Sequence, residues 1–341
     1  MIEFEGQHYE NDAGESVLEC LLRGGVAVPS FCRSGACQSC ILKATAGNIP
    51  AAAQVGLKPS LRQQGFFLSC LCRPTEGLSV ERADAANAYS SRVIRVESST
   101  AEVSRIFLTR PADFEFRAGQ FAHLERPSDG LMRPYSIASL PDDDELELHV
   151  ARLSGGRMSG WLQTAVGEPV IIRGPLGECF YQEGEPERPL LLAGTGTGLA
   201  PLYGILRQAA RSKHSGPIVL YHGCLRVTGL YLRSELETLT AALPSLSLVG
   251  SVLERTALEP AREGSWRLES IPLDQLILSQ HPKLNPYRVY LCGHPELVRG
   301  LRKRAYLAGA ELDRIHCDAF ASSPSIAPES ATRVDAAPVV V

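Results

Sequence analysis

The sequence predicts a multidomain protein of mixed α+β and α/β class: a short cysteine-bearing α+β segment, an antiparallel β-barrel, and a parallel α/β sheet. Three observations carry this. The 341 residues exceed what a single hydrophobic core usually organises. The hydrophobic rhythm changes along the chain, from short mixed elements, to strand after strand, to buried strands alternating with amphipathic helices. Two breaks separate the rhythms: the small polar run Ala83-Asp84-Ala85-Ala86-Asn87-Ala88 and the charged, proline-bearing stretch from Gln182 to Pro189. The expected segments are 1–84, 89–182 and 188–320. A Ser/Ala/Pro-rich tail follows at 321–341, with no pattern able to bury a face, and is expected to be mobile.

Taken in order, Ile2 and Phe4 alternate as a strand, and Glu15 to Arg23 reads as a short helix closed by Gly24-Gly25. Ile41 to Ala44 and Leu78 to Val80 follow as strands. In the second segment Val93–Val96, Val103–Leu108, Phe121–Leu124 and Leu146-Leu148-Val150 are strand-like, a succession that suits an antiparallel barrel. In the third, the buried-strand runs are Leu190–Ala193, Ile218–Tyr221, Leu246–Val249 and Val289–Leu291. Helical patterns lie between and after them, at Leu202–Ala210, Tyr231–Leu243 and Glu296–Ala308. That alternation predicts a parallel sheet.

Composition narrows the function. A net charge of −4 argues against nucleic acid as a partner, because phosphate binding needs clustered Lys and Arg. The uncharged run from Pro189 to Leu206 is long enough to raise the question of a membrane span. Its glycines, prolines and threonines read instead as strand, Gly-rich loop and helix start. Glu3 and Glu5 follow Met1 where a secretory leader would be basic and then apolar, so a cytoplasmic location is expected. A monomer is expected as well.

Of the ten cysteines, Cys20, Cys32, Cys37, Cys40, Cys70 and Cys72 crowd into the first segment. As no secretory leader is expected, this points to metal or redox chemistry rather than a disulfide scaffold. Cys32, Cys37 and Cys40 are spaced C-x4-C-x2-C, and Cys70 follows after 29 residues. This is the spacing of plant-type 2Fe–2S clusters. The intervening Ser34, Gly35, Ala36 and Ser39 are small, as a loop folded closely round a cluster requires. A zinc site would pair two C-x2-C knuckles, whereas Cys70-Leu71-Cys72 is too tight a second pair. The 29-residue gap favours Cys70 as the fourth ligand, with Cys72 as a packing neighbour. Cys20, Cys179, Cys224 and Cys317 read as buried thiols.

In the second segment, Arg133-Pro134-Tyr135-Ser136, between strands of the barrel, offers a cation for a pyrophosphate, a ring able to stack, and a hydroxyl. Gly155-Gly156-Arg157-Met158-Ser159 leads into a helix-like stretch whose free amides suit a phosphate, and Gly174-Pro175-Leu176-Gly177 closes the segment. In the third, Leu190–Ala193 runs into Gly194-Thr195-Gly196-Thr197-Gly198-Leu199-Ala200-Pro201, a glycine turn between a buried strand and a helix. Such a turn lets amides approach a pyrophosphate. It is neither a P-loop nor G-x-G-x-x-G. Leu291-Cys292-Gly293-His294-Pro295 forms a second turn near the end of the sheet.

On these motifs residues 1 to about 320 resemble the ferredoxin–flavin–nicotinamide reductase components of bacterial ring-hydroxylating dioxygenases and multicomponent monooxygenases. Deoxysugar reductases have a similar layout. The resemblance implies a β-grasp ferredoxin domain with a 2Fe–2S cluster on Cys32, Cys37, Cys40 and Cys70, a barrel holding FAD rather than FMN, and a nicotinamide domain. It implies that Arg133 binds the flavin pyrophosphate, Tyr135 stacks on the ring and Ser136 sits beside flavin N5. His149 and Val150, and Met158 and Ser159, match positions whose backbone contacts the flavin, with Gly156 at the phosphate-binding turn. A lone His on a strand is more often structural, so the His149 side chain is given no chemistry. The G-T-G-x-A-P turn implies Gly196, Thr197 and Gly198 at the nicotinamide, with Cys292 and Gly293 lining the site of hydride transfer and Phe320 covering the flavin. Ser136, Thr197 and Cys292 are thereby the expected catalytic positions. Many relatives have an acidic residue where Gly229 stands, and Arg226 can face either a ribose or a 2′-phosphate. NADH is the expected donor from the family's habit, with NADPH an alternative.

The expected function is therefore electron transfer from NADH through FAD and the cluster to a partner oxygenase, either a Rieske dioxygenase or a di-iron monooxygenase, docking beside Arg33, Ser34, Gln38 and Arg73. The same chain serving a deoxysugar dehydratase, or a redox sensor without turnover, is the alternative. A self-contained hydroxylase is disfavoured because Rieske Cys/His pairs and paired Glu-x-x-His motifs are not seen.

Overall fold

The computed structural model describes residues 1–26, 28, 30, 33–35, 38–57, 59–74, 76–83, 88–254 and 261–320, and in it the three rhythms become three sheets. Residues 84–87 of the expected linker, the tail 321–341, and Cys32 and Cys37 lie outside the described residues.

The first sheet comprises β1 (Ile2–Phe4), β2 (Gln7–Tyr9), β3 (Ile41–Ala46), β4 (Phe66–Leu68) and β5 (Leu78–Arg82), in the order β2-β1-β5-β3-β4. β1 and β5 are parallel and the other neighbours antiparallel. Helix α1 (Val17–Arg23) packs on it, and the short α2 (Pro59–Gln63) precedes β4. Ser16 explains why α1 begins at Val17 rather than at Glu15. Its hydroxyl accepts from Glu19 N at 3.3 Å while the Glu19 carboxylate accepts from Ser16 N at 2.9 Å, a reciprocal cap. Val17, Leu18, Cys20 and Leu21 then share a core with Ile2, Phe4, Leu42, Phe67 and Val80. Each such buried Leu or Phe contributes roughly 1.5–3 kcal/mol. Two first-turn amides bond outside the helix, Val17 N to Cys72 O at 2.8 Å and Leu18 N to Ser69 O at 3.1 Å. The helix start thus pins the 69–72 loop.

The second sheet comprises β6 (Ala88–Ser98), β7 (Val103–Thr109), β8 (Phe121–Arg126), β9 (Leu131–Ser136), β10 (Glu145–Ala151) and, after helix α3 (Arg157–Leu162), β11 (Pro169–Leu176). All pairings are antiparallel in the order β10-β7-β6-β11-β8-β9. The ladder closes on itself through the Ile137–Leu148 bridge and Ala138 N to Glu147 O at 2.8 Å, which makes it a barrel. Leu146, Leu148 and Val150 alternate inward with Ile106, Leu108, Leu124, Val170 and Ile172. One expectation needs correction: Arg133-Pro134-Tyr135-Ser136 lies on β9, not between strands. β9 pairs only with β8 along its length, so the missing N–H of Pro134 leaves no ladder bond unmade.

The third sheet comprises β12 (Leu190–Thr195), β13 (Ile218–Cys224), β14 (Leu246–Val252), β15 (Arg262–Glu263), β16 (Trp266–Glu269), β17 (Arg288–Gly293) and β18 (Ile315–Ala319). Its order is β15-β16-β14-β13-β12-β17-β18, parallel except for the β15–β16 hairpin. Helices α4 (Leu199–Arg211), α5 (Arg233–Ala242), α6 (Leu273–Gln280) and α7 (Pro295–Leu307) connect the strands. The chain leaves β12 to one side, toward β13, and later returns on the other side as β17. Ligands of open α/β sheets bind at such a reversal, outside the carboxyl ends of the strands.

The barrel and this sheet share one core. Val103, Ala138, Cys179 and Tyr181 cluster with Leu202, Ile205 and Leu206 of α4. Gly204 allows the approach, because a Cβ there would lie 3.3 Å from the carbonyl oxygens of Ile137 and Ala138 and from Gly119 N. Gly204→Leu is therefore expected to lower the melting temperature by several degrees, in keeping with an overpacking cost of about 1–3 kcal/mol. An unchanged thermal melt would contradict this close approach.

Candidate functional site

Cys40 and Cys70 are both buried in the first core, 3% and 6% exposed. Ser69 joins their loops, donating to the Cys40 carbonyl from its amide at 3.1 Å and from its hydroxyl at 2.7 Å. Cys72 is fully buried, and burial pushes its thiol up to about 12. Gly35 has φ +82°, and a Cβ there would strike Leu71 at 2.5 Å, so the loop lies tight against the 69–72 segment. Buried sulfurs on two loops held together in this way fit a cluster with thiolate ligands.

On the barrel, β9 presents Arg133, Tyr135 and Ser136. Burial raises the Tyr135 phenol above its ordinary range, so it stays neutral, as a stacking ring should. Met158 and Ser159 are buried on α3, and a Cβ on Gly156 would meet Ser159 Oγ at 2.2 Å. Val150 points into the barrel core, leaving only its backbone for a ligand. The His149 side chain reaches the third segment: Nε2 lies 3.0 Å from Glu147 Oε1, and Nδ1 lies 3.0 Å from Tyr231 Oη.

At the reversal of the third sheet, two turns meet backbone to backbone. Gly194 is in register with Cys292. A Cβ at Gly198 would lie 2.5 Å from Cys292 O, and one at Gly293 would lie 2.7 Å from Thr195 Oγ1. His294 N donates to that same Thr195 hydroxyl at 3.1 Å. Only glycine fits these approaches, which explains the glycines of both motifs. Gly196 has φ +52°, yet a Cβ there would meet nothing within 4 Å, so it faces open space. Thr197 is half-buried beside it.

The Ser136 hydroxyl donates to Asp318 Oδ2 at 2.8 Å, joining the barrel to the α/β sheet. Asp318 is in register with Cys292 on the adjacent strand. Burial raises the Asp318 carboxyl to about 6, and the Ser136 bond partly opposes this. Cys292 Sγ lies 3.6 Å from Cys179 Sγ, and burial holds its thiol well above the ordinary range, so it lines the site as a neutral group. Phe320 N donates to Gly293 O at 2.8 Å, which sets Phe320 beside the second turn. The structure thus brings Ser136, Cys292, Gly293 and Phe320 together around Asp318. In the sequence the run Cys317-Asp318-Ala319-Phe320 draws notice for its aromatic, and the carboxylate carries no signal of its own.

Arg226 stands apart, beyond the end of β13, its Nε 2.9 Å from Glu254 Oε2, and both side chains are exposed. Glu254, too, belongs to no sequence motif. Elsewhere on the β8–β9 ribbon, Ser39 Oγ, one residue before Cys40, lies 3.5 Å from His123 Nε2, both residues being buried. His123 pairs with Pro134 across β8 and β9. Among the described residues no helix is long and apolar enough to cross a membrane.

Three family models match the chain: a 2Fe-2S iron-sulfur cluster binding domain at residues 2–75, an oxidoreductase FAD-binding domain at 92–181 and an oxidoreductase NAD-binding domain at 192–303. The chain is 32% identical over 317 residues to the naphthalene 1,2-dioxygenase system ferredoxin–NAD(P)(+) reductase component of Pseudomonas putida, covering 90% of this chain and 94% of that protein. It is 31% identical over 330 residues to the aromatic O-demethylase reductase subunit of an Amycolatopsis strain, covering 92% and 96%. Among solved structures, Amycolatopsis cytochrome P450 reductase GcoB superposes with a TM-score of 0.66 at 29% identity, covering 94% of this chain and 98% of that one. The ferredoxin reductase in carbazole 1,9a-dioxygenase gives 0.63 at 24% identity, covering 94% and 97%, and supports the same fold. The protein is an oxidoreductase with 2Fe–2S, FAD and NAD domains in that order.

The raised Asp318 carboxyl has a signed consequence. Its folded pKa of about 6 exceeds the ordinary 3.8, so its contribution to stability is present below about pH 4 and is lost as pH rises through 6. Asp318→Asn is expected to shrink the difference in melting temperature between pH 5 and pH 8. It should also remove an inflection near pH 6 from the rate of NADH-driven flavin reduction. Identical pH profiles in the two proteins would contradict the assignment.

Proposed function

Because the chain belongs to the family of ferredoxin–NAD(P)+ reductase components of oxygenase systems, we propose that it carries electrons from NADH through FAD and a 2Fe–2S cluster to a partner oxygenase. The observation that carries the order is the position of β8 and β9. Ser136 at the end of β9 meets the α/β sheet through Asp318, while His123, opposite Pro134, meets the cluster loop through Ser39. The β8–β9 ribbon thus touches both the α/β sheet that bears the dinucleotide turns and the loop that bears Cys40.

FAD, when bound, supplies a ring that takes two electrons together and releases them singly, which matches a dinucleotide donor to a one-electron cluster. The chain supplies position. Arg133 neutralises the pyrophosphate, Tyr135 stacks on the ring, and Ser136, held by Asp318, presents its oxygen at the reacting edge. Gly196, Thr197 and Gly198 bring amides to the dinucleotide, and Cys292, Gly293 and Phe320 wall the site against water. Cys32, Cys37, Cys40 and Cys70 hold the cluster. Arg33 and Ser34 are exposed, Gln38 bonds Gly56 O at 3.2 Å and Arg73 bonds Gly14 O at 2.9 Å. These four form the rim on which the oxygenase docks. Three functional units, 1–84, 89–182 and 188–320, acting as a cytoplasmic monomer, complete the reading.

Cys37→Ser is expected to abolish the cluster and reduction of the partner oxygenase while sparing NADH-driven ferricyanide reduction, since ferricyanide takes electrons from flavin directly. Removal of residues 1–84 should have the same effect. Partner reduction by either variant would overturn the order. Tyr135→Ala should differ, weakening FAD retention and slowing both activities.

The donor follows from Glu254. Its carboxylate occupies Arg226, the cation that sequence position offers to a 2′-phosphate, and would repel that phosphate. NADH is expected to exceed NADPH in kcat/KM, and Glu254→Gln to narrow the gap. An NADPH preference of tenfold or more, about 1.4 kcal/mol of discrimination, would contradict this.

A further inference from the structure

Beneath the glycine turn lies a chain of buried polar side chains of which only His149 belongs to a motif. His222, on β13, is fully buried, and its Nε2 donates to Gly196 O at 3.0 Å. Burial lowers its pKa to about 4, so the ring is neutral and carries its proton on the nitrogen that donates. Its other nitrogen, Nδ1, has no hydrogen-bond partner among the described residues. A second bond therefore does not orient the ring. It packs instead against the edge of Tyr231, with centroids 5.6 Å apart and planes at 76°.

Tyr231 is itself buried, and its hydroxyl reaches His149 of the barrel at 3.0 Å. Burial alone would raise the Glu147 carboxyl, but the bonds from His149 and Arg105 bring it down to about 2. Glu147 is thus an acceptor, His149 carries its proton on Nε2, and Nδ1 accepts from the Tyr231 hydroxyl. Arg105 closes the chain, bonding Glu147 at 2.5 Å and Glu235 of α5 at 2.8 Å. Every member except His222 Nδ1 is satisfied, and such networks hold one geometry.

The Gly196 carbonyl therefore points inward, accepting from His222 and from Leu199 N. In a planar trans peptide the N–H opposes the C=O, so the Thr197 N–H must point outward, into the crevice at the strand ends. We propose that His222 and Tyr231 are positioning residues: they lock the 196–197 peptide with its N–H aimed at the bound dinucleotide, and tie that peptide through His149 to the barrel that carries the flavin strand. This rests on the reading that the Gly194–Gly198 turn binds the dinucleotide. It gives the His149 side chain a role, the alignment of two sheets, beside the backbone contact with flavin that its position implies.

The test uses the full FAD-loaded protein, with NAD+ and AMP titrated by calorimetry. Loss of one buried donor is expected to weaken NAD+ about tenfold in His222→Leu. AMP, which lacks the nicotinamide end, should bind as before, and FAD content should not change. His222→Gln keeps a donor near the Nε2 position and should restore NAD+ binding to within about threefold. Tyr231→Phe keeps the ring and removes the hydroxyl, and is expected to slow flavin reduction at saturating NADH about fivefold. If His222→Leu loses FAD or AMP binding, Tyr231→Phe decides. The proposal is overturned by NAD+ binding within twofold of wild type in His222→Leu, by failure of Gln to restore it, or by an unchanged rate in Tyr231→Phe. Gly196→Val separates the two readings. If it leaves NAD+ binding unchanged, the dinucleotide turn itself is misassigned. If it weakens NAD+ while the His222 and Tyr231 variants do not, only the positioning roles fall.

Discussion

The hydrogen bond from Ser136 to Asp318 joins two sheets that have no strand pairing in common. On the barrel side it ends the strand carrying Arg133 and Tyr135, and on the other it fixes β18 beside Cys292. Catalysis that depends on two stacked rings requires sub-ångström placement, and a contact between separate sheets supplies it only if both sides are rigid. The shared core of α4, Ala138 and Cys179 provides that rigidity. The shared core is built from buried side chains, so the interface behaves as interior rather than as a hinge.

The backbone contacts at the reversal of the α/β sheet follow from the same constraint. Gly198 against Cys292 O and Gly293 against Thr195 leave no room for side chains, so the two turns form one surface. The first segment is attached differently. Its cluster loop reaches the barrel through Ser39 and His123, and its helix α1 is spent on holding the 69–72 loop. The cysteine loops are therefore organised from within their own segment.

Much of this was legible in the sequence because the chemistry demands unusual residues at fixed spacing. Three cysteines within nine residues suit little besides a metal cluster, and a glycine turn after a buried strand suits little besides a phosphate. The strand succession in 89–182 and the alternation in 188–320 declared barrel and sheet through periodicity. What escaped was set by tertiary position. Asp318 lies on an edge strand of which only Ile315 is fully buried, so β18 carries no hydrophobic signal. Helix α5 begins at Arg233 rather than Tyr231 because Leu232 takes a left-handed φ of +55°, which frees Tyr231 to reach the barrel. His149 matched a flavin-contact position by its neighbours in sequence, whereas its direction depends on Glu147 two residues away and Tyr231 in another segment.

On the proposed path, the strands holding the flavin touch both the sheet of the dinucleotide turns and the loop of Cys40, and electrons pass through the flavin from the first to the second. Single-turnover stopped-flow absorbance, with NADH mixed anaerobically against the oxidised full-length protein, measures this most directly. The flavin band is expected to bleach first and the cluster band second, with the second phase lost in Cys37→Ser. Cluster bleaching that precedes the flavin, or that persists when the flavin is removed, would contradict the path.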